Sequence, residues 1–466
     1  MISHKSDQPV PEVRTSRATA PTIVGLVLLA LVLWPLMWIN PSFMVQGSSA
    51  EDLYHIPTIE QFARQLPAPD YSDYASATAP GYHTLLAVPR SLGMGYSGIR
   101  MLASLWTFAF VGVLLWVCAR RFGFGALLLV LPLAASNYVL FPGIWLLPDN
   151  AGWLGVLVIL LLCVQRKFSH RRLVLMGVLL LGLVFVRQVH IWMAAPIWLS
   201  AWIGSDAQTP TFSEICTDLG NRTKRAAFAV LCTLPAFVLL AWFARLWGGL
   251  VPPTFQGEHA GVNPATPGFV LLQIAILSIF FLPLLLRRAP IVWREHGRMV
   301  LLALALGLAL GLTPASSYSL DAGRYGAWWN LIKQFPVVAD RSPVFVLGSV
   351  IGAASVVIWC SMCSRRDQWI LGVVLLAFVC SQTMNQRSWQ RYHEPLLLVL
   401  ICLILARSCS KIVCYKRLLL GSVLLASILA SITWYQLGDV VPRGETDPRV
   451  DALRAKNSDS TPTHTP

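Results

Sequence analysis

Charge is scarce in this chain. Asp, Glu, Lys and Arg make up 12% of its 466 residues, about half the roughly 25% of a soluble domain. With 56% hydrophobic residues and a mean hydropathy of +0.62, that shortage excludes a soluble globular or a disordered protein. Outer-loop cysteine is also lacking. Of the ten, Cys118, Cys163, Cys232, Cys380 and Cys402 lie in or at the ends of apolar runs, and Cys216, Cys360, Cys363, Cys409 and Cys414 lie on or near the predicted inner side. A disulfide framework is thereby excluded, and the single Cys360/Cys363 CxxC pair is a weak metal signal. No internal repeat is visible, which argues against transporter folds built from two related halves.

Apolar runs of membrane-spanning length are what the chain has instead. Thirteen candidates (11–13 allowing for short ones) lie near 21–39, 99–118, 123–141, 150–164, 173–186, 189–204, 226–247, 268–286, 299–313, 343–360, 369–384, 394–406 and 418–434. The expected fold is an all-α polytopic membrane protein, with a cytoplasmic tail over 1–20, a membrane domain over 21–434 and a disordered tail over 435–466. The first gap, 41–98, is the longest outer loop and is expected to carry short interfacial helices. Alternate gaps starting with 1–20 hold 22 of the 36 Lys and Arg but only 7 of the 22 acids. The net charge of +14 therefore reports orientation, basic loops inside, and not a nucleic-acid partner. This places the N-terminus in the cytoplasm as a signal anchor and the C-terminus outside. The Gly-rich stretches 177–184 and 303–312 read as helix packing.

The outer gaps concentrate the polar chemistry. They carry Glu51-Asp52 with His55, then Thr78-Ala-Pro80-Gly81-Tyr82-His83, Asp149, Arg187-Gln188-Val-His190, Glu258-His259, and Arg391-Tyr392-His393. Acids, histidines and arginines on one face beside aromatics suit transfer of a sugar from a polyprenyl-phosphate carrier. A carboxylate, Glu51 or Asp52, takes the acceptor proton, while Arg187, His259 and Arg391 hold the leaving phosphate. His55, Tyr82, His83, Asp149, Gln188, His190, Glu258, Tyr392 and His393 are candidate substrate contacts. Plainer roles compete: Arg187 as a snorkelling anchor, Asp149 as a helix N-cap, Glu51 and Asp52 as solvated loop acids. Arg100, inside a predicted span, calls for an acid or a phosphate as partner. Tyr54, Trp145, Trp192 and Trp329 are candidate walls for a sugar. No metal ligand set stands out and no cofactor is required, although the acidic pair leaves room for a divalent ion.

These motifs fall in an order that resembles the GT-C superfamily of lipid-carrier-dependent glycosyltransferases. Glu51-Asp52-Leu-Tyr-His55-Ile-Pro57 resembles the Asp-Glu-x-aromatic-His-Ile-Pro motif of the dolichyl-phosphate-glucose-dependent α-1,2-glucosyltransferases, which add the terminal glucose of the lipid-linked oligosaccharide. Thr78-Ala-Pro80-Gly81-Tyr82, Phe185-Val-Arg187-Gln188-Val-His190-Ile-Trp192, Gly248-Gly249 with Gln256-Gly-Glu-His259, and Gln390-Arg391-Tyr392-His-Glu-Pro395 are similar to four further segments of that family, in the same order. The acidic pair is inverted, and His190 stands for an Asn. The resemblance spans about 50–395. It implies a GT-C-like fold, hexosyl transfer from a polyprenyl-phosphate sugar to a lipid-linked or envelope glycan, and a bacterial inner-membrane enzyme working on the periplasmic side. A flippase or transporter, or an O-antigen ligase-type enzyme or acyltransferase, would draw on the same residues.

Overall fold

The computed structural model describes residues 16–39, 51–166, 169–205, 218–259, 261–319, 321–408 and 415–438, without the side chains of Ser16, Arg17, Trp38, Ile39 and Glu258. Cys216, Cys409, Cys414 and most of both tails lie outside the described residues. The protein is about 79% helical, and its only strands among the described residues are two-residue pieces, so it is all-α. In chain order the helices are α1 (Ser16–Ile39), α2 (Ile56–Gln65), α3 (Gly81–Ser91), α4 (Tyr96–Phe122), α5 (Gly125–Ala135), α6 (Asn137–Ile144), α7 (Asp149–Cys163), α8 (His170–Val186) and α9 (Ala194–Ile203). They continue with α10 (Leu219–Trp247), α11 (Thr266–Ile279), α12 (Leu282–Leu312), α13 (Ala327–Lys333), α14 (Pro343–Cys360), α15 (Arg365–Thr383), α16 (Glu394–Arg407) and α17 (Tyr415–Gly438).

Six of these, within α1, α4, α10, α12, α14 and α17, are long and apolar enough to cross a membrane, and a seventh span results if α5 and α6, bent by 76° at their junction, are counted as one. Among the described residues, six or seven helices long and apolar enough to cross a membrane are consistent with an all-α membrane protein. Several other predicted runs form shorter helices. The run 189–204 begins as a 3-10 segment over Gln188–Met193 before α9. The basic stretch 287–298, expected as a loop, is helical and continuous with α12, which breaks its regular dihedrals at His296. Within the 41–98 stretch, the described residues from 51 on carry two short helices, α2 and α3.

Small residues set the closest helix approaches. A Cβ at Gly352 in α14 would lie 1.8 Å from the Leu271 carbonyl of α11, and one at Gly307 in α12 would lie 2.6 Å from the Ser349 carbonyl. A Cβ on Gly177 in α8 would likewise lie 2.2 Å from the Cys232 carbonyl of α10. Backbones this close gain dispersion contacts along the whole interface that any side chain would forfeit. The glycine-rich stretches are therefore packing surfaces.

Candidate functional site

Two sets of segments distant in sequence are each tied together by one amide side chain. α8 ends at Val186, and Arg187 turns to extended dihedrals (φ −151°, ψ 98°), which directs the chain out of the helix into the 188–193 turn. Gln188 then accepts from the Ala79 amide at 2.7 Å and donates to the carbonyls of Ala77 (2.9 Å) and Leu250 (3.0 Å). One side chain thus joins the Thr-Ala-Pro-Gly, Arg-Gln and Gly-Gly segments. The glycine of the first is required there, because a Cβ on Gly81 would meet the Phe185 carbonyl at 2.6 Å. On the far side, strand β1 (Arg324–Tyr325) pairs in parallel with β2 (Ser388–Trp389). Asn263 donates to the carbonyls of Ala322 and Gln386 at 2.9 and 2.7 Å, fixing the 385–392 turn.

Between these two frames lies a cavity of about 790 Å³. Arg187, Arg387, Arg391 and His259 line it, as do Tyr54, Trp153, Trp192, Trp389 and Tyr392. The arginines are held by rings and by one buried acid. Asp149 accepts from Arg187 at 2.6 Å and from Arg391 at 3.3 Å. Trp389 and Tyr392 stack with centroids 5.6 Å apart. The Arg387 guanidinium lies 4.6 Å from the Trp389 centroid, and those of Arg391 and Arg187 lie 5.5 and 5.8 Å from Tyr392. Three guanidinium groups thus line one wall of the cavity, two of them sharing the Asp149 carboxylate. Burial, followed by the charges of Arg387, Arg391 and Arg187, pushes His259 down to about 3. Its imidazole is neutral, so it offers a phosphate one N–H and no charge.

The acidic pair is divided by burial. Glu51 is fully buried and accepts from Arg100 through both oxygens, at 2.9 and 2.5 Å, and from the Leu146 amide at 3.0 Å. Burial raises its carboxyl above the ordinary value, with Arg100 and Leu146 pulling against that. Arg100 has thus found an acid. Asp52, on the next residue of the same wide helical turn, is only half-buried. Neither carboxylate is a lining residue of the cavity.

The other expected contacts separate in the same way. His55, Gln188, His190 and Tyr392 line the cavity; Tyr82 and His83 are buried behind its wall. His393 is also buried, beside Gln273 at 3.1 Å and between Phe269 and Phe378. Asp149 does not cap its own helix; it begins α7 and serves the two arginines. Of the four aromatic walls expected, Tyr54 and Trp192 line the cavity. Trp145 and Trp329 do not: Trp329 stacks on Phe269 at 4.3 Å and donates to the Ser388 carbonyl, which is core packing. Trp389 and Trp153 enter the lining without having been singled out from sequence, and Arg387, read only as one of the outer polar residues and not as a site residue, joins them. The signal for Arg387 was its position four residues before Arg391 in one outer segment.

No family model matches the chain, and no similar protein was found among curated proteins or solved structures. What the cavity can do therefore rests on its own chemistry. It combines a cationic wall, flat aromatic faces and apolar residues such as Leu240, Leu250 and Val251. Among the described residues, no group of three or more His, Cys, Asp or Glu is placed to hold a metal ion.

Proposed function

We propose that the protein is an integral-membrane glycosyltransferase of GT-C-like architecture, moving a sugar, a hexose by its resemblance, from a polyprenyl-phosphate donor to a lipid-linked or envelope glycan acceptor. In this reading the thirteen apolar runs cross a bacterial inner membrane, the N-terminus is cytoplasmic, and the cavity opens to the periplasmic side. The observation that carries it is the convergence of Arg187, Arg387 and Arg391 on one aromatic-walled cavity, with Asp149 shared between Arg187 and Arg391. A phosphodiester donor carries one negative charge, and the phosphate monoester that departs carries about 1.5 to 2. Guanidinium charge at this wall therefore stabilises the leaving group more than the bound donor. That difference is what lowers a barrier. The hydroxyl of the acceptor attacks from the face opposite the phosphate, which inverts the anomeric carbon. Aromatic rings pack on the sugar faces, and the apolar lining takes the first isoprenes. No cofactor enters this scheme; whether a divalent ion assists is read out directly in the assay.

The test is transfer by purified protein in nanodiscs, given a panel of radiolabelled polyprenyl-phosphate sugars and a lipid and glycan extract, with and without EDTA. Label should leave one carrier for a new product, and Arg187→Ala, Arg387→Ala and Arg391→Ala should each lower the rate by roughly 10²-fold or more. Folded protein that turns over no donor, but accumulates one unchanged in proteoliposomes, would mark a transporter instead.

A further inference from the structure

We infer that His55 takes the proton from the attacking acceptor hydroxyl, with His83 fixing its ring, so that the base of this site is an imidazole and not a carboxylate. The inference rests on the glycosyl-transfer reading.

The cavity lining contains no Asp or Glu among the described residues. Glu51 is committed to Arg100 and Leu146, and Asp149 is shared between Arg187 and Arg391. Asp52 stands one residue outside the lining. A base must come within hydrogen-bond reach of the hydroxyl it serves, so the proton acceptors to weigh are His55, His190 and His259. Both ring nitrogens of His190 are buried, and its Nε2 lies against α7 where a Cβ on Gly152 would be 2.9 Å away. His259 stands under the influence of all three arginines, at the phosphate end. His55 differs from both. Its Nδ1 is 2.8 Å from His83 Nε2, and the two rings are nearly parallel, 13° apart with centroids at 5.1 Å. That leaves His55 Nε2 as the nitrogen without a hydrogen-bond partner among the described residues.

A tautomer argument completes the assignment. Either ring can donate in this bond; in the tautomer the inference requires, His55 Nδ1–H donates to His83 Nε2 and His55 Nε2 carries the lone pair a base needs. His83 is fully buried and its Nδ1 has no partner among the described residues, so its one anchor is this bond. Burial holds both imidazoles neutral, His55 at about 3. The charged groups acting on His55 are Asp149, which favours its protonation, and Arg391 and Arg187, which oppose it. Once a donor phosphate engages the two arginines, their opposition falls and Asp149 supports the imidazolium.

The step balances. The acceptor oxygen bonds to the anomeric carbon as the bond from that carbon to the phosphate oxygen breaks. The electron pair of the broken bond leaves with the polyprenyl phosphate. The hydroxyl proton passes to His55 Nε2 and afterwards to the departing monoester or to water.

The experiment compares His55→Gln, His55→Ala, His83→Phe and Asp52→Asn in the full chain in nanodiscs. Transfer is measured beside binding of unlabelled polyprenyl monophosphate, detected by displacement of the donor. His55→Gln and His55→Ala should lose about 10²–10⁴-fold in kcat with monophosphate affinity kept within about twofold. Added imidazole should restore part of the His55→Ala rate. His83→Phe, a positioning change, should lower kcat, spare the donor KM and shift the acidic limb of the pH profile. A His55→Gln protein retaining more than a tenth of the rate while Asp52→Asn is dead would overturn the inference in favour of a carboxylate. Loss of monophosphate binding in both His55 variants without imidazole rescue would also overturn it. Wild-type protein inactive on every donor would refute the glycosyl-transfer reading itself, which is a separate result.

Discussion

Replacing Glu51 by glutamine changes one charge and almost no volume, so its effect isolates the ion pair. Arg100 is 7% exposed, and its guanidinium is held by both Glu51 oxygens. Removing the carboxylate charge takes away the acid that holds a buried cation through two bonds, which costs up to about 3–5 kcal/mol. The Leu146 amide at 3.0 Å can still donate to the glutamine oxygen, which returns about 1 kcal/mol. The expected loss is therefore roughly 2–4 kcal/mol, a large part of the 5–15 kcal/mol that holds a typical native state. Glu51→Leu with Arg100→Met, which removes both charges, should recover most of it. The assay is the unfolding midpoint in detergent for both singles and the double, read as a double-mutant cycle, with transfer measured alongside. If Glu51→Gln unfolds within about 0.5 kcal/mol of wild type yet has lost transfer, the ion pair is not structural and the Glu51 carboxylate itself does chemistry. The sequence alone suggested that second outcome, loss of transfer with folding intact.

Asp149→Asn leaves Arg187 and Arg391 without their shared acid, so stability should fall by about 3–5 kcal/mol; added polyprenyl monophosphate should raise the unfolding midpoint more in this variant than in wild type, and equal shifts would count against phosphate binding at those arginines. Acid should destabilise the fold. His55 and His259 are held down to about 3, below the ordinary histidine value near 6.5. The unfolded chain therefore binds their protons first, and stability present above about pH 6.5 is lost as pH falls toward 3, by up to about 1.4 kcal/mol per unit per histidine. Unfolding midpoints at three pH values between 7.5 and 5.5 check this, and His55→Asn should flatten the dependence. Gly352→Ala should destabilise by about 1–3 kcal/mol through its clash with the Leu271 carbonyl. Gly182→Ala, with open space around it, should instead stabilise by about 0.5–1 kcal/mol.

Helix, membrane and the polar segments were legible in the residues because a bilayer admits few alternatives. Backbone groups there must bond internally and side chains must be apolar, so composition alone reports the spans. The long apolar runs of α4, α10 and α14 were readable for that reason. Among the shorter runs, 150–164 and 394–406 match α7 and α16 to within a residue, whereas 268–286 stops early, at Ile279 of α11, because the chain breaks there before α12. Arg187, His259 and Arg391 were also visible as candidates, because charge beside apolar runs is costly without a use.

Only the tertiary structure decided who pairs with whom. Glu51 meets Arg100 across 49 residues, Arg187 meets Asp149 across 38, and Arg391 meets the same acid across 242. No local periodicity encodes such contacts. Packing therefore turned Glu51 into a buried counter-ion, gave Asp149 to two arginines, moved Trp145 and Trp329 into the core and brought Arg387 and Trp389 into the cavity. The sequence by itself determined that this protein has a membrane-borne, helical body with its polar groups gathered in a few segments, because burial of backbone and charge in lipid is so costly. Which of those groups face a ligand depends on contacts between distant segments, and these exist only once the helices are packed.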